Sequence, residues 1–269
     1  MMNIYTAIQS RKRGALLKHS HFYEIYSEQF AKFSREKVKI LEIGVYNGGS
    51  LYMWKNFFEK VEVIVGIDID PYCKRWQDRD EGIFVEIGDQ TDVEFLNHVN
   101  SEYGPFDIII DDGGHENNQV ITSFNTLFPL LNNEGIYVVE DTYHSYWPNY
   151  SCDRDKSTEL YDSNGNLVKG GKPLKINKTK SPITSMEFLK GIADSLNSAA
   201  YLDGGKESGD AGSNRVFREP NMYESNIFSI QFFDNICFIH KSIREGRASF
   251  GKSEWIGHNT QIPEDESYE

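Results

Sequence analysis

Apolar and polar positions alternate in blocks along the first half of the chain. Between residues 18 and 36, Phe22, Ile25, Tyr26, Phe30 and Phe33 recur at helical spacing, which predicts an amphipathic helix. "VKILEIGVYNGGS" then reads as a short apolar strand and a glycine-rich turn, followed by a helix over "SLYMWKNFF". "VEVIVGIDID" is a second strand ended by acids and Pro71, and "GIFVEIGD" is a third. A helix around "DVEFLNHVNSEYG" leads to a fourth strand, "FDIIIDD". "NNQVITSFNTLFPLL" is helical up to about Pro129, and "GIYVVED" is a fifth strand. Strands alternating with helices predict an α/β fold, a parallel sheet covered on both faces.

After Trp147 the pattern breaks. "NYSCDRDKSTELYDSNGNLVKGGKPLKINKTKSP" is polar and turn-rich, and "DGGKESGDAGSN" lacks any apolar period. A helix is predicted over "SMEFLKGIADSLNSA" between them, and "IFSIQFFDNICFIHKS" supplies two further strands. The chain therefore reads as a single domain over residues 1–269. Residues 1–36 form an N-terminal helical segment, and 148–225 an insertion over the active face, between the fifth and sixth of seven strands.

Composition narrows the function. The 39% of hydrophobic residues suffices for a large core, and a net charge of −13 argues against nucleic acid and anionic membranes, which need a basic face. No run of 18 apolar residues is present, so no membrane span is expected. The first residues lack the apolar core of a signal peptide, and Cys73, Cys152 and Cys237 read as reduced thiols; a cytoplasmic protein is the expectation.

The first turn can hold a nucleotide-like cofactor. Glycines let backbone N–H groups approach a ligand, and an acid after the second strand can hold ribose hydroxyls. Asp68 stands there, 24 residues after Gly44. The dinucleotide fingerprint requires glycine two positions after Gly44, where this chain has Tyr46. Glu42, inside the preceding strand, suits a cofactor with a cationic amino group. Both features favour S-adenosylmethionine over NAD. The candidate cofactor residues are Glu42, Gly44, Tyr46, Ser50 and Asp68, with Asp89 and Gln90 ending the third strand beside the adenine position. A tight strand-to-helix turn without a ligand is the plainer alternative.

The fourth and fifth strands end in Asp112 and in Glu140–Asp141. Three carboxylates side by side repel unless a cation or protons intervene. Oxygen ligands favour Mg²⁺ or a similar hard ion. His115, three residues after Asp112 across two glycines, is placed to take a proton from a hydroxyl that the metal acidifies. It can also be an ordinary polar loop residue. His144 is a weaker candidate that could shape the acceptor pocket. Tyr143, Tyr146 and Trp147 could stack on a sugar or belong to the core. His19, His21, Tyr23 and Tyr26 could edge the cofactor site or form a packed helix face.

The stretches "LEIGVYNGGSLYMW", "GIDIDP", "GDQTD", "DDGGH", "LFPLLNNEGIYVVED" and "SYW" resemble the metal-dependent sugar O-methyltransferases of natural-product pathways. That group includes mycinamicin and tylosin sugar methyltransferases and proteins labelled cephalosporin hydroxylase. The resemblance covers about residues 15 to 150 and resumes at "SIQFFDNICFIHK". It implies a doubly wound class I methyltransferase fold, S-adenosylmethionine as donor and Mg²⁺ as cofactor. It also implies Asp112, Glu140 and Asp141 as metal ligands and His115 as general base. The insertion shows no pattern of that group. The acceptor implied is a sugar hydroxyl of a glycan, nucleotide sugar or glycosylated metabolite; the residues themselves also admit a catechol-like or phosphorus-linked hydroxyl. An inactive cofactor-binding protein is a third reading, opposed by the intact acids and His115, and Tyr46 opposes an NAD-dependent oxidoreductase. Monomer and homo-oligomer both stay open.

Overall fold

The computed structural model describes residues 3–147, 152–153, 175–176, 183–200 and 220–243. Five strands follow one another with helices between them: β1 (Lys37–Ile43), β2 (Lys60–Asp68), β3 (Ile83–Ile87), β4 (Ile108–Asp111) and β5 (Ile136–Glu140). Helices α1 (Ile4–Gln9) and α2 (Phe22–Gln29) precede them, and α3 (Gly49–Phe57), α4 (Val93–Tyr103) and α5 (Asn117–Leu127) lie between them. Two-residue strands β6 (Cys152–Asp153) and β7 (Lys175–Ile176) pair with each other outside the main sheet. Helices α6 (Ser185–Ala193) and α7 (Met222–Asn226) precede the last hairpin, β8 (Ile227–Phe233) and β9 (Ile236–Lys241).

The seven-stranded sheet has the order β3-β2-β1-β4-β5-β9-β8. β1 to β5 are parallel, and β9 runs antiparallel to both β5 and β8. Strand order reverses between β1 and β4, where α/β sheets open a crevice at the carboxyl ends of their strands. Register sets the chemistry there: Ile43 lies beside Asp111, and Asp111 beside Val139. Asp112 and Glu140 therefore leave the sheet as neighbours.

Each face of the sheet carries its own core. Tyr26, Phe30, Trp54 and Phe238 pack on one side, and Phe124, Phe128, Tyr137 and Leu189 on the other. All eight are fully buried, the burial that drives folding. No helix among the described residues is long and apolar enough to cross a membrane.

Two expected elements differ. The helix expected over 18–36 begins at Phe22 and ends at Gln29, with a 3-10 turn at Ala31–Phe33. Residues before Phe22 leave helical geometry because they run along the glycine turn, where Ala15 pairs with Gly48. The helix expected over the insertion stops at Ala193 and tightens into 3-10 turns. It lies against α5, with Leu189 and Ile192 buried beside Phe124 and Leu127. The rest of the stretch expected to cover the active face, apart from β6, β7 and residues 220–225, lies outside the described residues.

Candidate active site

The turn after β1 is held by an acid and by close backbone approach. Asp68 at the end of β2 accepts from Val45 N–H and Tyr46 N–H through Oδ2, each at 2.9 Å, and from Asp70 N–H through Oδ1. A carboxylate has about four lone-pair positions, so one remains for a ligand hydroxyl. Tyr46 is left-handed at φ 45° and 68% exposed, so its ring is free to move. Gly44 has φ +94°, and a Cβ there would lie 2.0 Å from the Asp112 carbonyl oxygen. Only glycine lets the cofactor turn abut the acid-bearing loop after β4.

That loop is anchored from beneath. Asp111 is buried and accepts from Gln90 Nε2 at 3.1 Å, from Tyr137 Oη at 3.2 Å and from Ser123 Oγ. Gln90 also accepts from Gly114 N–H at 2.8 Å, so its carboxamide joins β3 to the double glycine. Burial raises the Asp111 carboxyl, and the hydrogen bonds from Ser123, Gln90 and Tyr137 oppose it. Asp89 closes its own turn, accepting from Thr91 N–H and Oγ1 at 2.8 Å.

The acids expected to share one ion divide between two sets of neighbours. Lys18 Nζ donates to Asp112 Oδ2 at 2.8 Å and to Glu140 Oε1 at 2.6 Å, and stands 3.4 Å from Glu42 Oε1. Tyr26 Oη donates to the same Glu140 oxygen. Asp141 turns the other way, accepting from Asn235 Nδ2 at 3.0 Å and lying 3.5 Å from His19 Nε2. His115 joins the two groups, with Nε2 at 3.8 Å from both Asp112 Oδ1 and Asp141 Oδ2. All three acids thus border one small region.

Electrostatics there are unbalanced. Burial pushes the Glu140 carboxyl up to about 8, helped by Asp112 and opposed by Lys18. Burial pushes Glu42 up to about 7, again opposed by Lys18. No well-formed hydrogen bond reaches either Glu42 oxygen; Lys18 approaches to 3.4 Å, and it and the Ser50 hydroxyl favour the charged form. His115 Nδ1 is also buried without a partner. Both His115 (φ 57°) and Asp141 (φ 54°) hold left-handed backbone, a strain that costs of order 1–3 kcal/mol and gathers at functional sites.

His144 stacks on His115 with ring centroids 4.8 Å apart and planes 7° apart. Its Nδ1 lies 3.1 Å from the Asp141 carbonyl oxygen, and burial lowers its pKa, keeping it neutral. Among the described residues, ligand atoms of His115, Asp141 and His144 lie within 4.8 Å of one another, a compact group able to hold a metal. Tyr143 packs on His144, and Trp147, 45% exposed, borders both. His21 reaches Asp234, Tyr26 is core as well as a partner of Glu140, and Tyr23 is half-buried beside Tyr5.

The expected cofactor residues other than Glu42, the three acids and His115 all line one cavity of about 580 Å³, with His19 and Tyr143; His21, Tyr23, Tyr26, His144, Tyr146 and Trp147 do not. That volume suits a small-molecule ligand. Glu42 sits just behind it, joined through Lys18. Lys18 and Asp111 were not expected at the site. The need for a cation among three acids was a signal for Lys18, but nothing in the sequence selects it from 28 lysines and arginines.

Residues 41–142 match the family described as a methyltransferase domain. The matched stretch runs from β1 to the end of β5, where the glycine turn, the "DDGGH" loop and the paired acids all lie.

The chain is 32% identical to demethylmacrocin O-methyltransferase of Streptomyces fradiae, over 81% of this chain and 48% of that enzyme. It is 31% identical to mycinamicin VI 2''-O-methyltransferase of Micromonospora griseorubida, over 89% of this chain and 50% of that enzyme. A crystal structure of the MycE methyltransferase of mycinamycin biosynthesis, in complex with Mg and SAH, superposes with a TM-score of 0.67 at 29% identity. The match covers 98% of this chain and 58% of MycE. The class I methyltransferase fold and the resemblance to sugar O-methyltransferases are thus both found. The chain spans about half the length of the curated relatives it matches.

Proposed function

We propose that the chain transfers a methyl group from S-adenosylmethionine to a sugar hydroxyl, aided by a divalent metal ion such as Mg²⁺. One observation carries the reading: a single cavity joins a glycine turn backed by the buried Glu42 to a region where Asp112 and Asp141 flank His115 and Glu140 shares Lys18 with Asp112. The buried carboxylate fits a cofactor ammonium group, and the hard oxygen donors fit Mg²⁺. MycE has been crystallised with Mg, SAH and mycinamycin VI, and it aligns with 98% of this chain at a TM-score of 0.67.

The residues take roles by place. Asp68 would hold ribose hydroxyls through its remaining lone pair, with Asp89 and Gln90 bordering the adenine. Glu42 and Ser50 would meet the amino-acid end, beneath Gly44 and Tyr46. Asp112, Glu140 and Asp141 would hold the divalent ion, which supplies a Lewis acid that makes a bound hydroxyl easier to deprotonate. S-adenosylmethionine supplies a methyl group on a positively charged sulfur. His115 would take the acceptor's hydroxyl proton at Nε2, and the carboxylates of Asp112 and Asp141, 3.8 Å away, stabilise the imidazolium that forms. His144 holds that ring flat.

The acceptor would be a glycan or glycosylated small molecule entering past Tyr143 and Trp147. The 148–225 insertion would shape its site within one domain; Asn117 supports this, since it accepts from Ser185 N–H at 2.6 Å and ties α6 to α5. The test is incubation with S-adenosylmethionine, Mg²⁺ and a panel of glycosides and nucleotide sugars, read by mass for the gain of one CH₂. A gain on sugar acceptors supports the reading. Methylation of catechols alone would replace the acceptor class, and failure to bind SAH would end it.

A further inference from the structure

Among the described residues, two lysine side chains, Lys18 and Lys241, are buried in contrasting ways. Lys241 donates to the backbone carbonyls of Pro129 and Leu131 at 2.7 and 2.6 Å, neutral acceptors that hold the end of β9 against the turn after α5. Lys18 donates only to carboxylates, and its side chain is 2% exposed. Burying an ammonium costs several kcal/mol unless charged partners compensate, so a lysine in that place needs a reason.

The charge count supplies one. A single ammonium faces Glu42, Asp112 and Glu140, one fixed positive charge for three groups able to carry a negative one. The cluster can therefore accept a cation of higher charge, and Asp112 and Glu140 are among the groups assigned above to a divalent ion. A divalent ion and an ammonium competing for the same oxygens would repel strongly inside a site of low dielectric.

The lysine is also mounted to leave. It lies between α1 and α2, outside regular secondary structure. Its neighbours face solvent, Leu17 being 82% exposed and the His19 side chain 48% exposed. The backbone here is fastened by the pairing of Ala15 with Gly48 and by Arg13 donating to the Arg75 carbonyl at 3.0 Å. A four-carbon stem can swing out by changing rotamers without unfolding a helix.

We propose that Lys18 is a tethered stand-in for the divalent ion, filling the acid cluster while the site is empty and expelled when the ion enters. The inference rests on the metal site proposed above. It makes metal binding a competition with an internal cation and couples loading of the site to movement of the segment around Lys18.

The test compares the wild-type chain with Lys18→Met, both stripped with EDTA and titrated with Mn²⁺, free ion being followed by electron paramagnetic resonance. The variant should bind Mn²⁺ about tenfold or more tightly, within the usual range of coupling between sites. Its melting temperature should fall below wild type in EDTA and recover with Mn²⁺. Equal or weaker Mn²⁺ binding by the variant, with wild-type binding intact, overturns the stand-in role and leaves the metal site standing. Absence of Mn²⁺ binding by both proteins overturns the metal site and the stand-in together. Should the variant not fold, the wild type decides alone. Its Lys18 should be acetylated several-fold faster with Mn²⁺ than in EDTA, read by peptide mass, and unchanged or slower acetylation overturns the proposal.

Discussion

The two halves of the cavity are built on opposite principles. The turn after β1 is satisfied within itself: three backbone N–H groups reach Asp68, and the Tyr46 carbonyl accepts from Trp76 Nε1 at 3.1 Å. The region after β4 and β5 is unsatisfied. It crowds Asp112, Glu140 and Asp141 around one ammonium and the stacked imidazoles of His115 and His144, with Glu42 of β1 reaching the same ammonium, leaves His115 Nδ1 without a hydrogen-bond partner, and holds His115 and Asp141 in left-handed backbone. The first arrangement suits a shaped receptor that is ready before its ligand comes. The second stores charge and strain that a cation and a reacting group can relieve. On the proposed function, holding a cofactor and doing chemistry on an acceptor would be divided between neighbouring strands.

Substitutions should separate the halves, and the largest effects belong to the acids. Asp112→Asn and Glu140→Gln should lower methyl transfer by more than about 100-fold, since even partners of metal ligands cost 10–100-fold. SAH binding, measured by calorimetry, should stay near wild type. An equal loss of SAH affinity would merge the two regions into one.

His115→Ala should cost about 10²–10⁴-fold in rate, the usual contribution of a general base. Mn²⁺ and SAH affinity should change far less than the rate. A stable variant with wild-type turnover would leave the "DDGGH" loop a structural turn. On the other side of the cavity, Asp68→Ala should weaken SAH binding by roughly 1.5–3 kcal/mol, the worth of hydrogen bonds to a charged acceptor. At saturating cofactor its maximal rate should largely return, which the acid variants should not show.

The smallest effect is on stability. Glu140 and Glu42 have folded values of about 8 and about 7 against an ordinary 4.5. Each binds its proton more tightly in the folded chain than in the unfolded one. That contribution to stability is full below the unfolded value and is lost as pH rises through the folded value. In EDTA the melting temperature should therefore decline from about pH 4.5 to about pH 8, and Glu140→Gln should flatten the decline. A melting temperature that rises across this window would contradict the electrostatic description.

The contrast between the halves also explains what the sequence makes legible. The strands, the glycine turn and Asp68 are set by short-range patterns, in which a hydrophobic run ends in glycine or acid within a few residues. The acids and His115 are visible for the same reason, because each stands at a strand end. What completes the second region comes from far away: Lys18 lies 94 residues from Asp112 and 122 from Glu140, and Tyr26 lies 114 from Glu140. Helical periodicity carried the expected helix back to residue 18, whereas the pairing of Ala15 with Gly48 and the pull of the carboxylates on Lys18 end it at Phe22. Asp111 reads in sequence as one more acid in "DDGGH". Register and burial make it the anchor of that loop instead.

The central claim is that the acid region works through a divalent ion beside the cofactor turn. It is tested most directly by following methyl transfer from S-adenosylmethionine to a glycoside acceptor in wild-type protein, before chelation, after exhaustive EDTA treatment and after Mg²⁺ is returned. The account predicts transfer, its loss to background with SAH still bound, and its recovery. Transfer that continues undiminished in EDTA would contradict it.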